Sequence, residues 1–298
     1  MTAPRLSVII CVYDMPREAP RTILSASLPY QKHVLADDFE VIVVENGSKR
    51  PLSDETRAAL PDRVRVVDMP QPNPSPVFAL NWAAREVAAG EIFLFSIDGA
   101  RIFSDRLYAE SLAAHALVQD ALVYTLGWHI GPKMQTISTR EGYNEAVEDQ
   151  LIAASGWPQR PEALFDISVF AGSSLDGQFA PIRESNALSV PRSLFERCGG
   201  FDERFDSPGG GLANLEFFAR YVTRPNARNV CLLSEGSFHQ THGGVATSGR
   251  VGWETFESEY RTILGRPYQQ PAYDRLYYGA VRPRAARFLR HAIERFLG

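Results

Sequence analysis

Over the first hundred residues, short apolar runs alternate with segments of helical period, which confines the chain to strand–helix–strand units and a mainly parallel sheet. Residues 6–13, 39–45, 64–68 and 92–97 read as strands, the first two apolar throughout most of their length and hence buried on both faces. Residues 16–28, 54–60 and 77–89 carry apolar side chains at helical spacing. Gly90 follows the last of these as a fitting C-cap. A stiff loop with Pro70, Pro72, Pro74 and Pro76 precedes it. The chain is organised around Gly90-Glu91-Ile92-Phe93-Leu94-Phe95-Ser96-Ile97-Asp98-Gly99-Ala100-Arg101. This run is a strand that delivers one carboxylate, Asp98, into a glycine turn. In open α/β sheets, ligands bind outside the carboxyl ends of the strands. Asp98 is therefore placed either to hold a cation or simply to cap its turn.

The second half is less regular. Residues 106–119 read as a helix, 122–128 as a strand and 141–155 as an exposed helix. Residues 184–190 read as a strand, after which Pro191 opens a short helix ending at Gly199-Gly200. A glycine loop, Ser207-Pro208-Gly209-Gly210-Gly211, leads into a helix at 213–222. The last strand, 230–235, is followed by His239-Gln240-Thr241-His242-Gly243-Gly244.

Composition narrows the function classes. Of 298 residues, 45% are hydrophobic and 22% charged, as in ordinary globular proteins. A formal net charge of −4 gives no electrostatic case for binding nucleic acid. Cys11, Cys198 and Cys231 are odd in number and far apart, which fits packing in a reducing compartment. No apolar run approaches the roughly 18–20 residues of a membrane span, and the first residues lead straight into a strand without a leader. The expected location is cytoplasmic.

Five pieces stand in order along the chain: Ser7-Val8-Ile9-Ile10-Cys11-Val12-Tyr13-Asp14 with Glu18 beyond it, residues 25–31, Val43-Val44-Glu45-Asn46-Gly47-Ser48, Asn81, and Gly199-Gly200-Phe201-Asp202-Glu203-Arg204-Phe205. Together they resemble family 2 glycosyltransferases: the first resembles the family's opening strand, the second the segment that ends in Gln before the second strand, and the third its Asp-Asn-Gly-Ser turn. Asn81 stands where the family has Asn, and the last piece matches the Gly-Gly-Phe-Asp-Glu-x-Phe motif. The resemblance covers about residues 6 to 245 and implies the GT-A fold: a Rossmann-like, mainly parallel sheet flanked by helices. It implies a glycosyltransferase domain over 1–245, with a nucleotide-binding half (1–100) and an acceptor-binding half (101–245), and a C-terminal helical extension over 246–298. Two departures mark a divergent branch. The Asp-x-Asp metal motif is reduced to Ser96-Ile97-Asp98, or in another register to Asp98-Gly99, and the usual catalytic Asp is Asn214.

The implied reaction is inverting transfer from a nucleoside diphosphate sugar to a glycan, polysaccharide or lipid-linked acceptor. It requires neutralised phosphates, an acceptor that loses a proton, and a sugar held in line. A divalent metal, Mn²⁺ or Mg²⁺, answers the first need, with Asp98, His242 and His239 as candidate ligands; His242, directly before Gly243-Gly244, is the better placed of the two imidazoles. Arg101 could pair with phosphate. Val12, Tyr13, Asp14, Glu18, Glu45, Asn46 and Asn81 are the candidate donor contacts. Glu216, on the helix after the glycine loop, and Glu184, at the expected strand start, compete for the role of general base, with Asn214 beside them. Trp128, His129 and Trp157 either line a sugar site or belong to the core. The loss of two acids keeps a second function class open, a non-catalytic module that binds a nucleotide sugar or glycan. An oxidoreductase is disfavoured because no Gly-x-Gly-x-x-Gly follows the first strand.

The tail, from Pro283 on, reads as a basic helix with Ala286, Leu289, Ile293 and Phe296 on one stripe. Such a helix either lies at an anionic membrane surface or packs on the domain.

Overall fold

The computed structural model describes residues 3–243 and 253–297, with side chains as far as residue 295. Gly244 of the sequence motif lies outside the described residues. The strands are β1 (Leu6–Val12), β2 (Phe39–Glu45), β3 (Val64–Asp68), β4 (Ile92–Ser96), β5 (Arg101–Phe103), β6 (Ala121–Ile130), β7 (Ser168–Phe170), β8 (Leu188–Pro191), β9 (Arg228–His239) and β10 (Leu276–Tyr278). The helices are α1 (Ala19–Ser25), α2 (Asp54–Ala58), α3 (Pro76–Trp82), α4 (Leu107–Leu117), α5 (Gln135–Ser138), α6 (Glu145–Ser155), α7 (Ala163–Asp166), α8 (Arg192–Cys198), α9 (Ala213–Val222), α10 (Trp253–Leu264) and α11 (Ala286–Leu297).

All strands join one sheet in the order β3-β2-β1-β4-β8-β6-β9-β10, with β5 on β9 and β7 on β6. Along this path the sheet is parallel on both flanks; β8 runs antiparallel between β4 and β6, as do the short β5 and β7 on β9 and β6. Every residue of β1 and β2 is buried. Their alternating side chains feed two layers: Ile9, Cys11, Ile42 and Val44 face one core, and Val8, Ile10, Val41 and Val43 the other. Each such side chain contributes about 1.5–3 kcal/mol by leaving water, which is why the apolar runs specify these strands so firmly. The GT-A-type arrangement expected from the sequence, a central sheet flanked by helices, is the one observed.

Local corrections matter for the site. Residues 184–187 precede β8 rather than opening it, so Glu184 sits on a loop. Pro191 ends β8 and caps α8 instead of starting the helix. The last strand of the sequence reading runs on to His239, so this histidine is a strand residue, and β10 follows as a further strand. The helix read as exposed, now α6, is capped by Asn144 and buries Glu148 completely.

No helix among the described residues is long and apolar enough to cross a membrane. Of the expected stripe Leu289 is buried, but Ala285, just before α11, and Ala292 are buried in place of Ala286 and Ile293, and Ile293 is exposed. The side chains of 296 and 297 lie outside the described set. Phe288 packs against Trp128, Phe165 and Phe170. The arginines are tied to the domain as well: Arg284 to Asp166, Arg287 to the Ser168 carbonyl at 3.0 Å, and Arg295 to Asp176 at 3.0 Å. Arg282, 5% exposed, meets Asp105, Glu162 and Glu235 at once. Because this helix has already spent its apolar stripe and most of its cations, co-sedimentation with anionic vesicles at low salt is expected to show no binding. Salt-sensitive binding that disappears on removing residues 283–298 would overturn that expectation.

Candidate active site

The order of strands reverses about β1: the chain builds β2 and β3 on one side, then returns to place β4 on the other. That reversal opens a crevice at the carboxyl ends of β1 and β4, where ligands bind in such sheets. Asp98 stands there, immediately beyond β4. Its Oδ1 accepts from the Ala100 N–H at 3.0 Å, and the Ser96 hydroxyl donates to its carbonyl at 2.9 Å. Gly99 is required by space, since a Cβ would lie 2.6 Å from Val12 Cγ2. The turn then feeds β5, whose first residue, Arg101, is paired across the ladder with His239 of β9. On the other side of β9, His129 of β6 is His239's register partner.

Backbone pairing thus brings together residues remote in sequence. One ligand atom each from Asp98, His239 and His242 lies within 4.8 Å of the others. His239 Nε2 is 3.1 Å from His242 Nε2 and 4.0 Å from Asp98 Oδ2. Arg101 grips the same carboxylate, with Nε 3.1 Å and Nη2 3.0 Å from Oδ2. Burial opposes the charge on Asp98, but Arg101, His242 and the Ala100 N–H outweigh it and hold the carboxyl below its ordinary pKa. Burial, reinforced by the Arg101 charge, pushes His239 well below the usual imidazole value, and burial also lowers His242. Both imidazoles are therefore neutral at neutral pH, the form that ligates metals. A carboxylate oxygen with two neutral imidazole nitrogens is a donor set that suits Mn²⁺ or a similar divalent ion better than Mg²⁺, which prefers oxygen.

Beside this cluster lies Glu184. Burial raises its pKa, against hydrogen bonds from Asn214 and Asn186 and the charge of Arg101, while Asp98 pushes it further up. Asn214 Nδ2 donates to Glu184 Oε2 at 2.7 Å and lies 3.3 Å from Asn186 Oδ1. The other candidate base, Glu216, is committed elsewhere: Arg220 holds both its oxygens, at 2.7 and 3.0 Å, and is itself fixed on the Cys198 and Gly200 carbonyls.

The remaining candidates divide. Val12 ends β1 and is buried, while Tyr13 and Asp14 form the rim after it, Tyr13 being 44% exposed and Asp14 left-handed at φ 52°. Glu18 is buried against Arg17 at 2.8 Å. Glu45 is engaged by its own turn, accepting from Ser48 and from the Leu52 N–H at 3.2 Å, and Gly47 takes φ 75° as the turn requires. Asn46 donates to the Asn73 carbonyl at 2.7 Å and so anchors the proline loop. Asn81 is engaged elsewhere: it brackets Phe201, donating to its carbonyl and accepting from its N–H, both at 2.9 Å. The motif around Phe201 therefore serves packing, its ring stacked on Phe217 with centroids 4.0 Å apart. Trp128 and Trp157 are core residues, the former stacked between Phe170 and Phe238 and the latter bonded to the Tyr30 hydroxyl.

Residues with no sequence signal also shape the site. The Gln135 side chain holds His239. Glu148 accepts the Thr241 N–H at 2.9 Å, while Arg17 donates to the Thr241 carbonyl at 2.9 Å, so the peptide before His242 is clamped on both sides. Burial pushes the Glu148 carboxyl up to about 7 against these partners. Arg17 and Arg21, one helical turn apart, both reach Asp149. Their spacing is the one hint of this network the sequence offered.

No protein-family model matches the chain, and no curated protein matches it. Solved structures do. The chain is similar to S. aureus TarS 1-349 in complex with UDP-GlcNAc at 16% identity and a TM-score of 0.57, over 87% of this chain and 65% of that one. Against the same protein in complex with UDP the values are 13% and 0.51, over 87% and 70%. A mannosyltransferase from Pyrobaculum calidifontis, in complex with GDP-Man and Mn²⁺, aligns over 100% of this chain and 71% of its own at 17% identity, with a looser TM-score of 0.47. The chain spans only 54% and 65% of the first two TarS structures it matches. The fold of the chain is the one seen in the TarS complexes.

Proposed function

We propose that this protein is a metal-assisted, inverting glycosyltransferase of the family 2 type, moving a sugar from a nucleoside diphosphate sugar to a glycan or lipid-linked acceptor. One observation carries the reading: Asp98, His239 and His242 converge beside Glu184 at the carboxyl ends of β1 and β4. The nucleotide would lie over the ends of β1 and β2, against Tyr13 and Asp14, and the diphosphate over the Asp98 turn. Asp98, His239 and His242 would hold the divalent ion, which supplies charge neutralisation for the leaving diphosphate. Arg101 adds a fixed positive charge in the same place and, by gripping Asp98, keeps the carboxylate oriented. Glu184 takes the proton from the acceptor hydroxyl as that oxygen attacks the anomeric carbon. Asn214 holds Glu184 Oε2 in place. With Glu184 acting as base on the acceptor and the Asp98 carboxylate gripped by Arg101, the proposed reaction is a single displacement that inverts the anomeric configuration. The TarS complex with UDP-GlcNAc supports a nucleotide sugar as donor through the shared fold.

Thermal shift decides between transferase and bystander. UDP or GDP together with Mn²⁺, at about a hundred times the dissociation constant, should stabilise by about 2.7 kcal/mol, or roughly 4–5 °C for a chain of this size. Either additive alone should give much less. Absence of a joint shift with every nucleoside diphosphate would remove the donor site from these residues. A joint shift with no donor hydrolysis or transfer to any acceptor would favour a binding module.

A further inference from the structure

The hydrogen bonds around His239 can be oriented by elimination. Gln135 Nε2 lies 2.9 Å from the His239 carbonyl oxygen, which can only accept. The amide nitrogen must therefore face the carbonyl, and the amide oxygen must face the ring. That oxygen, Oε1, is 2.5 Å from His239 Nδ1 and can itself only accept. Nδ1 must carry the hydrogen. A neutral imidazole carries one, so Nε2 is left with a bare lone pair. Nε2 is the atom that faces His242 Nε2 at 3.1 Å and Asp98 Oδ2 at 4.0 Å. Gln135 is in turn fixed from behind, its N–H donating to His129 Nδ1 at 3.0 Å. Gln135 is 1% exposed and His239 2% exposed, so water does not compete for these positions.

We infer that Gln135 is a positioning residue that locks His239 in the Nδ1–H tautomer and so presents its Nε2 lone pair to the cation site before any ion arrives. This rests on the metal-assisted reading above only for the identity of what is held. A consequence separates the two histidines. With His239 Nε2 bare, His242 Nε2 donates to it in the ion-free protein and can ligate through that atom only once its hydrogen has moved to Nδ1 or left. His239 is the preset ligand, and His242 the one that adjusts. Partners of this kind, once removed from the ion, typically alter metal affinity 10- to 100-fold.

The test reads the tautomer directly. Histidine ¹⁵N-labelled, ion-free protein is recorded by long-range ¹H–¹⁵N correlation, with His239 assigned by the loss of its signals in His239→Gln. The parent should show a protonated Nδ1 and a bare Nε2 at His239. Gln135→Leu, similar in volume, should mix the tautomers and weaken Mn²⁺ binding about 10- to 100-fold, measured by paramagnetic titration. Gln135→Glu, whose carboxylate still accepts from Nδ1 but gives up the donor to the His239 carbonyl, should keep the tautomer. A protonated Nε2 at His239 in the parent overturns the inference, as does a Gln135→Leu variant whose tautomer and Mn²⁺ affinity both match the parent. Should the tautomer behave as assigned while the parent binds no Mn²⁺ at all, the positioning stands and the metal reading falls.

Discussion

Asp98→Asn is expected to abolish the Mn²⁺-dependent part of nucleotide binding, with a loss in metal affinity above about 100-fold, beyond what partners outside the ligand set typically cause. The carboxylate is the one charged ligand of the proposed site. Its removal also strands Arg101, which is 8% exposed and makes its ion pair with Asp98. Breaking a buried pair by removing one partner costs about 3–5 kcal/mol, so the single variant should melt several degrees lower. Asp98→Asn combined with Arg101→Gln separates the two effects: stability should largely return, and the metal response should not. The pair also sets an acid limit. Because the native Asp98 pKa lies below its ordinary value, the stability it contributes is complete above the unfolded value and is lost as pH falls through the native one. A metal response equal to the parent's in the double variant would refute the role of Asp98.

Glu184→Gln should lower turnover about 10²–10⁴-fold and leave donor binding nearly unchanged. Glu216→Gln should act mainly on stability, since it dismantles the Arg220 bridge that holds the Cys198–Gly200 segment. The pH profile gives a second handle. A base must be ionised, and burial holds the Glu184 pKa above the ordinary carboxylate value. The rate of the parent should therefore fall as pH drops through that raised value, and this limb should vanish in Glu184→Gln. If Glu216→Gln instead shows the larger loss in turnover at equal donor binding, the assignment of the base reverses.

The legible parts of the molecule were those written locally. Continuous apolar runs specify β1, β2 and β4 because these strands are buried on both faces, and Asp98 before Gly99 is recognisable where such a strand meets the crevice. His239 and His242 were visible as a pair, but not what joins them to Asp98. That join is made by β5, three residues long, on a ladder with β9, and a strand so short leaves no period to read. Glu184 was visible as an acid and misplaced on a strand, because the loop before β8 is held by side-chain hydrogen bonds rather than by an apolar pattern. Glu216 and Asn81 stood in the expected motifs, yet their polar groups are consumed by Arg220 and Phe201, a matter of three-dimensional partners. Gln135 and Glu148 carry no such signal: a polar residue on a helix looks the same whether it faces solvent, holds a buried histidine as Gln135 does, or clamps a buried backbone segment as Glu148 does.

The pairing of Arg101 with His239 has a bearing on biosynthesis. The N-terminal strands can begin to pack early in synthesis, since β1 takes both its ladder neighbours, β2 and β4, from the first hundred residues. Two of the three proposed ligands are not yet made at that stage. A nascent chain that has folded only these strands therefore carries Asp98 before β9 has supplied the ladder that places Arg101 and His239 beside it, a poor trap for divalent ions in the cell. Metal capture would then report completion of the whole domain, and in refolding experiments the Mn²⁺ response should return with the slowest phase, after the sheet signal has recovered.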